Sequence, residues 1–217
     1  MLQRKLIILA KAPIAGHAKS RMIPVLGAEG AAQLHQQITH WMLQRFNNQG
    51  DYLVELWCAS DIEHPFFQAC ASEFGVTLKL QTGDDLGERQ FIAMTDALED
   101  SEHVVVIGSD VVSLTVNDIQ HAFDRLQQGS ELVISPAEDG GYGLIGCSKI
   151  DRRIFSHVPW GEAEVYAEMV RNLNHIRFNW QPLSQVWDLD RPDDLLRLAE
   201  CTDLPQGVAE LLDVSAR

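Results

Sequence analysis

Apolar positions along the chain follow two rhythms. Short runs rich in branched and aromatic residues have the length of strands: Leu6 to Ala10, Tyr52 to Cys58, Val76 to Leu80, His103 to Gly108 and Glu131 to Ser135. The fourth of these, His103-Val-Val-Val-Ile-Gly108, is continuously apolar, as a strand buried on both faces should be. Between the runs, apolar residues recur at helical steps. Ala31, Leu34, Ile38, Trp41, Met42, Arg45 and Phe46 mark one helix, stopped by Asn47, Asn48 and Gly50. His64 to Glu73 reads as a second, opened by Pro65 and closed before Gly75. A third covers about residues 87–99 with Phe91, Thr95 and Leu98 on one side, and a fourth, capped by Thr115 or Asn117, ends at Gly129.

Strict alternation of strand and helix predicts a parallel α/β sheet. After residue 135 the rhythm changes. Glu138-Asp-Gly-Gly141 turns the chain into Tyr142 to Cys147, a helix from Glu162 to Leu173 precedes Ile176 to Trp180, and a last helix follows Pro192. Strands this close together predict a mixed sheet with an antiparallel edge. With no internal repeat, low-complexity tract or Pro/Ser-rich linker, residues 1–217 are expected to form a single three-layer α/β/α domain with a mostly parallel mixed sheet.

Charge is unevenly spread. The chain holds 17 basic and 31 acidic residues, a formal charge of −14. That balance argues against nucleic acid and anionic lipid as partners, since both are bound by basic surfaces. No apolar run approaches a bilayer span and the N-terminus lacks a signal-peptide core, so no membrane insertion and a cytoplasmic location are expected. Cys58, Cys70, Cys147 and Cys201 form no C-x-x-C pair, and Cys58 and Cys147 sit in apolar runs as buried thiols. The histidines show no zinc spacing, and His35 and His40 point to different faces of one helix.

Against that acidic background, residues 1–28 carry Arg4, Lys5, Lys11, Lys19 and Arg21 and no acid; the first is Glu29. Lys11, Lys19 and Arg21 lie in the loop after the first strand, with Pro13 and Gly16, where a phosphate is expected to bind. It is neither familiar phosphate loop. A P-loop requires glycine at the positions of Ala18 and Pro13, and the dinucleotide fingerprint needs three spaced glycines where only Gly16 is present. Ligands of open α/β sheets bind beyond the carboxyl ends of the strands, which brings loops 11–21, 83–89, 109–115 and 138–141 to one place.

Asp110, directly after a buried strand, is placed as a metal ligand should be, although aspartate also caps turns there. Asp188 and Asp190, two apart in an extended segment, share a side; Asp190 has the further option of capping the last helix. Basic residues beside such carboxylates suit a nucleotide phosphate with Mg²⁺ or Mn²⁺, because Mg²⁺ takes one or two carboxylates plus substrate oxygens. Asp139, Gly140 and Gly141 allow close approach of backbone to ligand, or simply make a hairpin turn.

Six segments in order resemble a bacterial family of uncharacterised proteins in the nucleotide-diphospho-sugar transferase (GT-A) superfamily. They are Ala10-Lys-Ala-Pro-Ile-Ala-Gly-His-Ala-Lys-Ser-Arg21, Asp85-Leu-Gly-Glu-Arg89, Ile107-Gly-Ser-Asp110, Ser113-Leu-Thr115, Asp139-Gly-Gly-Tyr142 and Asp188-Leu-Asp190. A more distant likeness is to the 2-phospholactate and molybdenum-cofactor guanylyltransferases. The resemblance implies a GT-A fold with a nucleotide held by Lys11, Ala12, Pro13, Gly16, Lys19, Arg21, Gly87 and Ser109. It implies a divalent metal at Asp110 with Asp188 and Asp190, and a small-molecule acceptor near Asp139, Gly140 and Gly141. Lys19 and Asp110 are the expected catalytic residues. Two positions depart from the family pattern: Val112 replaces a proline, and Trp160-Gly161-Glu162 replaces Trp-Ser-Thr on the acceptor side.

The substrate expected on these grounds is a nucleoside triphosphate or a nucleotide-sugar. Metal-dependent glycosyltransferases of this fold often use Asp-x-Asp, but the residue two after Asp110 is Val112. One aspartate after a strand with a second from late in the chain suits nucleotidyl transfer better. A nucleotide-binding module without catalysis, serving a partner enzyme, is the alternative from another class.

Overall fold

The computed structural model describes residues 3–201 and 204–215. Its strands are β1 (Arg4–Lys11), β2 (Leu53–Ala59), β3 (Thr77–Gln81), β4 (His103–Gly108), β5 (Leu132–Pro136), β6 (Tyr142–Cys147) and β7 (Trp180–Pro182). The helices are α1 (Ile23–Phe46), α2 (Pro65–Phe74), α3 (Leu86–Leu98), α4 (Val116–Gln127), α5 (Val165–His175), α6 (Asp194–Ala199) and α7 (Gln206–Ser215). The strands form one seven-stranded sheet in the order β3-β2-β1-β4-β6-β5-β7. Every neighbouring pair is parallel except the two that involve β6.

The mixed, mostly parallel α/β sheet is as expected, but the antiparallel strand is not at an edge. β6 lies between β4 and β5, pairing Val106 with Ile145 on one side and Ile134 with Ile145 on the other. The crossover through α4 carries β5 one position too far to pair with β4. The turn after β5 then returns β6 into the vacant place, where its backbone groups are satisfied on both sides. The outer edge is β7, three residues beginning at Trp180. Ile176 to Asn179 is therefore a turn rather than a strand, with Arg177 at φ 56 closing α5.

Side-chain alternation along each strand makes two apolar layers. Leu6, Ile8, Val105 and Ile107 face α1, α2, α4, α6 and α7, packing with Leu34, Ile38, Phe67, Phe123, Leu195 and Val208. Ile7, Val104 and Val106 face α3 and α5, against Ala93, Met94, Val165, Met169 and Leu173. The buried face of α3 is Gly87, Gln90, Ala93, Met94 and Ala97 rather than the Phe91, Thr95 and Leu98 side. Small residues let that helix lie close on the sheet, and Phe91 and Leu98 pack at its margin. α5 starts at Val165, three residues later than the pattern predicted, because residues 161–164 are drawn into a turn beside β6.

Local signals agree with these elements. Pro65 opens α2 and left-handed Gly75 closes it. Of the two candidate caps for α4, Thr115 is the one used. Its side chain and that of Asp118 bond reciprocally to each other's backbone N–H groups in a capping box. Thr115→Ala should lower unfolding free energy by about 1 kcal/mol. Urea denaturation checks this as a shifted midpoint with unchanged slope, the sign of lost stability without a change in the unfolded chain.

Candidate functional site

The carboxyl ends of β1, β3 and β4 and the amino end of β6 open onto one cavity of about 720 Å³. It is built around two loops. The loop after β1 tightens into a short 3-10 turn, Ser20–Met22, entered through Lys19 in the left-handed conformation, φ 48 and ψ 46. A lysine held there is strained, and such strain persists only where the surroundings impose it. Here the surroundings are electrostatic. Lys19 Nζ lies 2.7 Å from Asp110 Oδ2, with the lysine side chain only 6% exposed. The same ammonium donates to the carbonyl of Leu189. Arg21 pairs likewise with Asp190, in a more exposed setting.

The loop after β4 is fixed from both sides. Arg45 of α1, its guanidinium 4.0 Å over the Trp41 ring, donates to the carbonyls of Val112 and Leu114 at 2.7 and 3.0 Å. Ser113 Oγ donates to the carbonyl of Trp187 at 2.7 Å and accepts from its backbone N–H at 2.8 Å. Leu189 N–H donates to the carbonyl of Asp110 at 2.9 Å. The chain from 187 to 189 is thus zipped to the chain from 110 to 113, with Asp188 held between the two fastenings. Leu189 turns into the core while Asp188 and Asp190 line the cavity. Asp190 is not a helix cap: α6 is entered through Asp193 with no side-chain cap bond, and the Asp194 carboxylate reaches back to accept from the backbone N–H groups of Asp190 and Arg191.

The carboxylates differ in state because their neighbours differ. Burial works to raise Asp110, but the charge and hydrogen bond of Lys19, with a smaller contribution from His35, outweigh it and hold this carboxyl below its ordinary range. Asp188 has no such cation against it. Burial, then the nearby charges of Asp110, Asp139 and Asp190, push it up to about 6, with Lys19 offsetting only part. Asp139 accepts from the backbone N–H of Gly141 at 2.9 Å. Among the described residues no three His, Cys, Asp or Glu side chains form a ready metal cage.

Lys11, Lys19, Arg21, Ser109, Asp110, Asp139, Gly141, Asp188 and Asp190 all line the cavity. Ala12, Pro13, Gly16, Gly87 and Gly140 do not. Two of these glycines act from behind. A Cβ on Gly140, at φ 92, would stand 2.0 Å from the carbonyl oxygen of Ala163, so only glycine lets the 161–166 segment dock there. A Cβ on Gly87 would stand 2.3 Å from the Trp160 ring, so this glycine seats the indole against the start of α3.

Other lining residues were given no role from sequence, although Arg89, Tyr142 and Trp160 fall in segments singled out there. Trp160 stacks on Phe155 and meets Tyr142 edge-on, making an aromatic wall opposite the carboxylates. The Tyr142 hydroxyl donates to Gln90 Oε1, and burial holds the phenol well above its ordinary range. Arg89 donates through Nε to the carbonyl of Gly83 at 3.0 Å, and no carboxylate pairs with it among the described residues. His35 Nε2 donates to the carbonyl of Lys11 at 2.9 Å while its buried Nδ1 has no partner. Burial lowers the pKa of this imidazole. Arg89 was legible in principle, one helical turn after the Asp85 cap. Trp160 lay in the segment expected on the acceptor side, whereas His35 was not legible, because its place at the cavity comes from packing between distant segments.

A search of curated proteins found no match. Among solved structures, a provisionally assigned nucleotide-diphospho-sugar transferase from Desulfovibrio desulfuricans G20 superposes with a TM-score of 0.87 at 28% identity, covering 100% of this chain and 96% of that one. A cytidylyltransferase from Leptospira borgpetersenii gives 0.61 at 12% identity over 99% and 94% of the two chains. Glucosyl-3-phosphoglycerate synthase from Mycobacterium tuberculosis, in complex with Mn²⁺, UDP and glucosyl-3-phosphoglycerate, gives 0.52 at 13% identity over 99% and 80%. The last two likenesses concern the fold alone, which is the GT-A type expected from the sequence. The family model described as "Uncharacterized protein conserved in bacteria (DUF2064)" matches residues 42–162, more than half of the chain, and the protein belongs to that family.

Proposed function

We propose that this protein is a nucleotide-dependent transferase that holds the phosphates of its nucleotide with Lys19 and Arg21 and a divalent cation with Asp110 and Asp188. The observation that carries the reading is the meeting of two basic residues from the β1 loop with acids from two other loops, in one cavity at the carboxyl edge of the sheet. The donor set suits a hard cation. Two carboxylates without a third match an ion such as Mg²⁺ that completes its shell with water and substrate oxygens. Burial and the clustered acids raise the Asp188 carboxyl, and a bound cation would relieve that cost. Mn²⁺ accompanies UDP in the mycobacterial synthase of the same fold.

Within that reading, nucleotidyl transfer suits the site better than glycosyl transfer. The residue two after Asp110 is Val112, buried in the core, so the second carboxylate comes instead from the 187–190 segment. An acceptor oxygen attacks the α-phosphorus of a nucleoside triphosphate, the bond to the bridging oxygen breaks, and pyrophosphate leaves with its charge spread over Lys19 and Arg21. A bound cation would add charge neutralisation at the phosphate oxygens. Trp160, Tyr142 and the Asp139–Gly141 turn form the opposite wall, where an acceptor would lie. Glycosyl transfer, with a nucleoside diphosphate leaving on the same groups, is the second reading, in line with the provisional assignment of the Desulfovibrio structure as a nucleotide-diphospho-sugar transferase. Incubation with each ribonucleoside triphosphate or nucleotide-sugar, Mn²⁺ and pooled phosphorylated acceptors, followed by mass spectrometry, separates pyrophosphate release from diphosphate release. Ligand binding with neither product would favour a non-catalytic module.

Asp188→Asn should show a cost built into the site. The folded state raises this carboxyl above its unfolded value, so protonation favours folding and ionisation opposes it as pH rises through about 6. The neutral amide should therefore stabilise the ligand-free protein at pH 7.5 by on the order of 1 kcal/mol after solvent screening, about 2–4 °C in Tm. That gain should fade below pH 6 and vanish below about pH 4. In the same melts, the extra stabilisation that Mn²⁺ adds to nucleoside triphosphate should disappear. A purely structural Asp188 would be destabilised by the change at every pH.

Arg21→Ala should weaken nucleoside triphosphate roughly tenfold while leaving the nucleoside unaffected, as expected for a charge-assisted contact to phosphate. Isothermal titration with both ligands side by side checks it. Equal losses for the two ligands would place the phosphates elsewhere.

A further inference from the structure

The same lysine that serves the phosphates holds, in the ligand-free protein, a carboxylate that serves the cation. We propose that Lys19 makes the site selective for a nucleoside polyphosphate arriving with its divalent cation, by holding Asp110 closed to either one alone. This rests on the functional reading above and adds to it the form in which the substrate is taken.

The geometry leaves Asp110 little freedom. Its Oδ2 accepts from Lys19 Nζ at 2.7 Å, and its Oδ1 lies 2.7 Å from where a side chain on Gly108 would begin, so the carboxylate sits directly over bare backbone. Lys19 is equally confined. Its side chain is 6% exposed, two of its three N–H donors are committed to Asp110 and to the Leu189 carbonyl, and its left-handed backbone is closed on both sides by Ala18 N–H to Ile14 O at 2.9 Å and Met22 N–H to Lys19 O at 2.8 Å.

A divalent cation arriving alone must share Asp110 with an ammonium at bonding distance, or expel that ammonium from its one acid partner among the described residues. The cost falls mainly on the lysine, whose side chain is 6% exposed, while that of Asp110 is 35% exposed. A polyphosphate arriving alone must draw Lys19 off Asp110, leaving that carboxylate uncompensated beside Asp188 and Asp139. Together the two ligands remove both penalties: the phosphate receives the ammonium that the cation displaces. Each ligand must therefore raise the other's affinity by the same factor, since such coupling is reciprocal. The Arg21–Asp190 pair repeats the arrangement at the rim, but with Arg21 62% exposed it is screened by solvent and carries less of the effect.

The test measures Mn²⁺ affinity by electron paramagnetic resonance, alone and with ATP, GTP, CTP, UTP or UDP, in the wild type and in Lys19→Met, Lys19→Arg and Lys11→Met. In the wild type, the nucleotide that binds should tighten Mn²⁺ by about tenfold or more, within the usual range of coupling between sites. Lys19→Met should bind Mn²⁺ alone roughly fivefold tighter than wild type, bind the nucleotide more weakly, and lose most of the dependence of one on the other. Lys19→Arg keeps a cation on Asp110 and should hold Mn²⁺ alone at the wild-type affinity. Lys11→Met removes a cavity lysine that no acid engages among the described residues, and should show no comparable gain. The proposal is overturned if Lys19→Met gains no Mn²⁺ affinity, if Lys11→Met gains as much, or if Mn²⁺ binds wild type equally with and without nucleotide. Failure of the underlying reading is seen separately, in the wild type alone: no nucleotide binds even with Mn²⁺ present, and the proposal falls with it.

Discussion

The ion pair between Lys19 and Asp110 is the contact through which the carboxyl edge of the sheet is assembled. One end is a lysine in a strained conformation after β1; the other is the first acid after the buried strand β4. The lysine also reaches the carbonyl of Leu189, and the backbone of Leu189 reaches that of Asp110, so three segments distant in sequence close on one another. An ammonium so far out of water is tolerable only with its acceptors in place, which makes the local geometry nearly all-or-none. Arg45 and the two bonds of Ser113 reinforce the same junction from behind, using carbonyl and N–H groups that the irregular backbone leaves free.

That junction explains how an acidic protein can gather basic side chains in one cavity. The net charge of −14 would repel a polyanion if spread evenly. Instead the first 28 residues contain only basic charges, and the fold lays their loop over the carboxylates of the β4 loop and the 187–190 segment. Opposed charges sit in one cavity. Asp188, without an ion-pair partner among the described residues, carries the electrostatic cost of this arrangement. Perturbed groups of this kind recur at functional sites.

The opposite wall has a different character. Trp160, Tyr142 and Phe155 make an aromatic surface whose depth depends on Gly87 beneath the indole and Gly140 beneath the 161–166 segment. Gly161 and Glu162 both line the cavity beside it. One α/β scaffold serves many chemistries by varying such loops.

The amino-acid sequence by itself determined what local physics controls. Strand and helix identities follow from periodicity, and the caps at Pro65, Gly75 and Thr115 follow from backbone chemistry within a few residues. The cavity-facing placement of Lys11, Lys19, Arg21, Asp110 and Asp139 followed from one topological rule, that loops at the carboxyl ends of parallel strands meet, while spacing alone put Asp188 and Asp190 on a common side. Only the tertiary structure decided what depends on contacts between distant segments. It placed the antiparallel strand inside the sheet, where a vacant pairing position fixed it, and turned Phe91 and Leu98 to the margin of α3, where small residues packed better. It also paired Lys19 with Asp110 and Arg21 with Asp190, left Asp188 without an ion-pair partner among the described residues, and brought Trp160 against Gly87 across more than seventy residues of chain. Periodicity carries no record of such pairings, because the energy of each exists only once both segments have left water together.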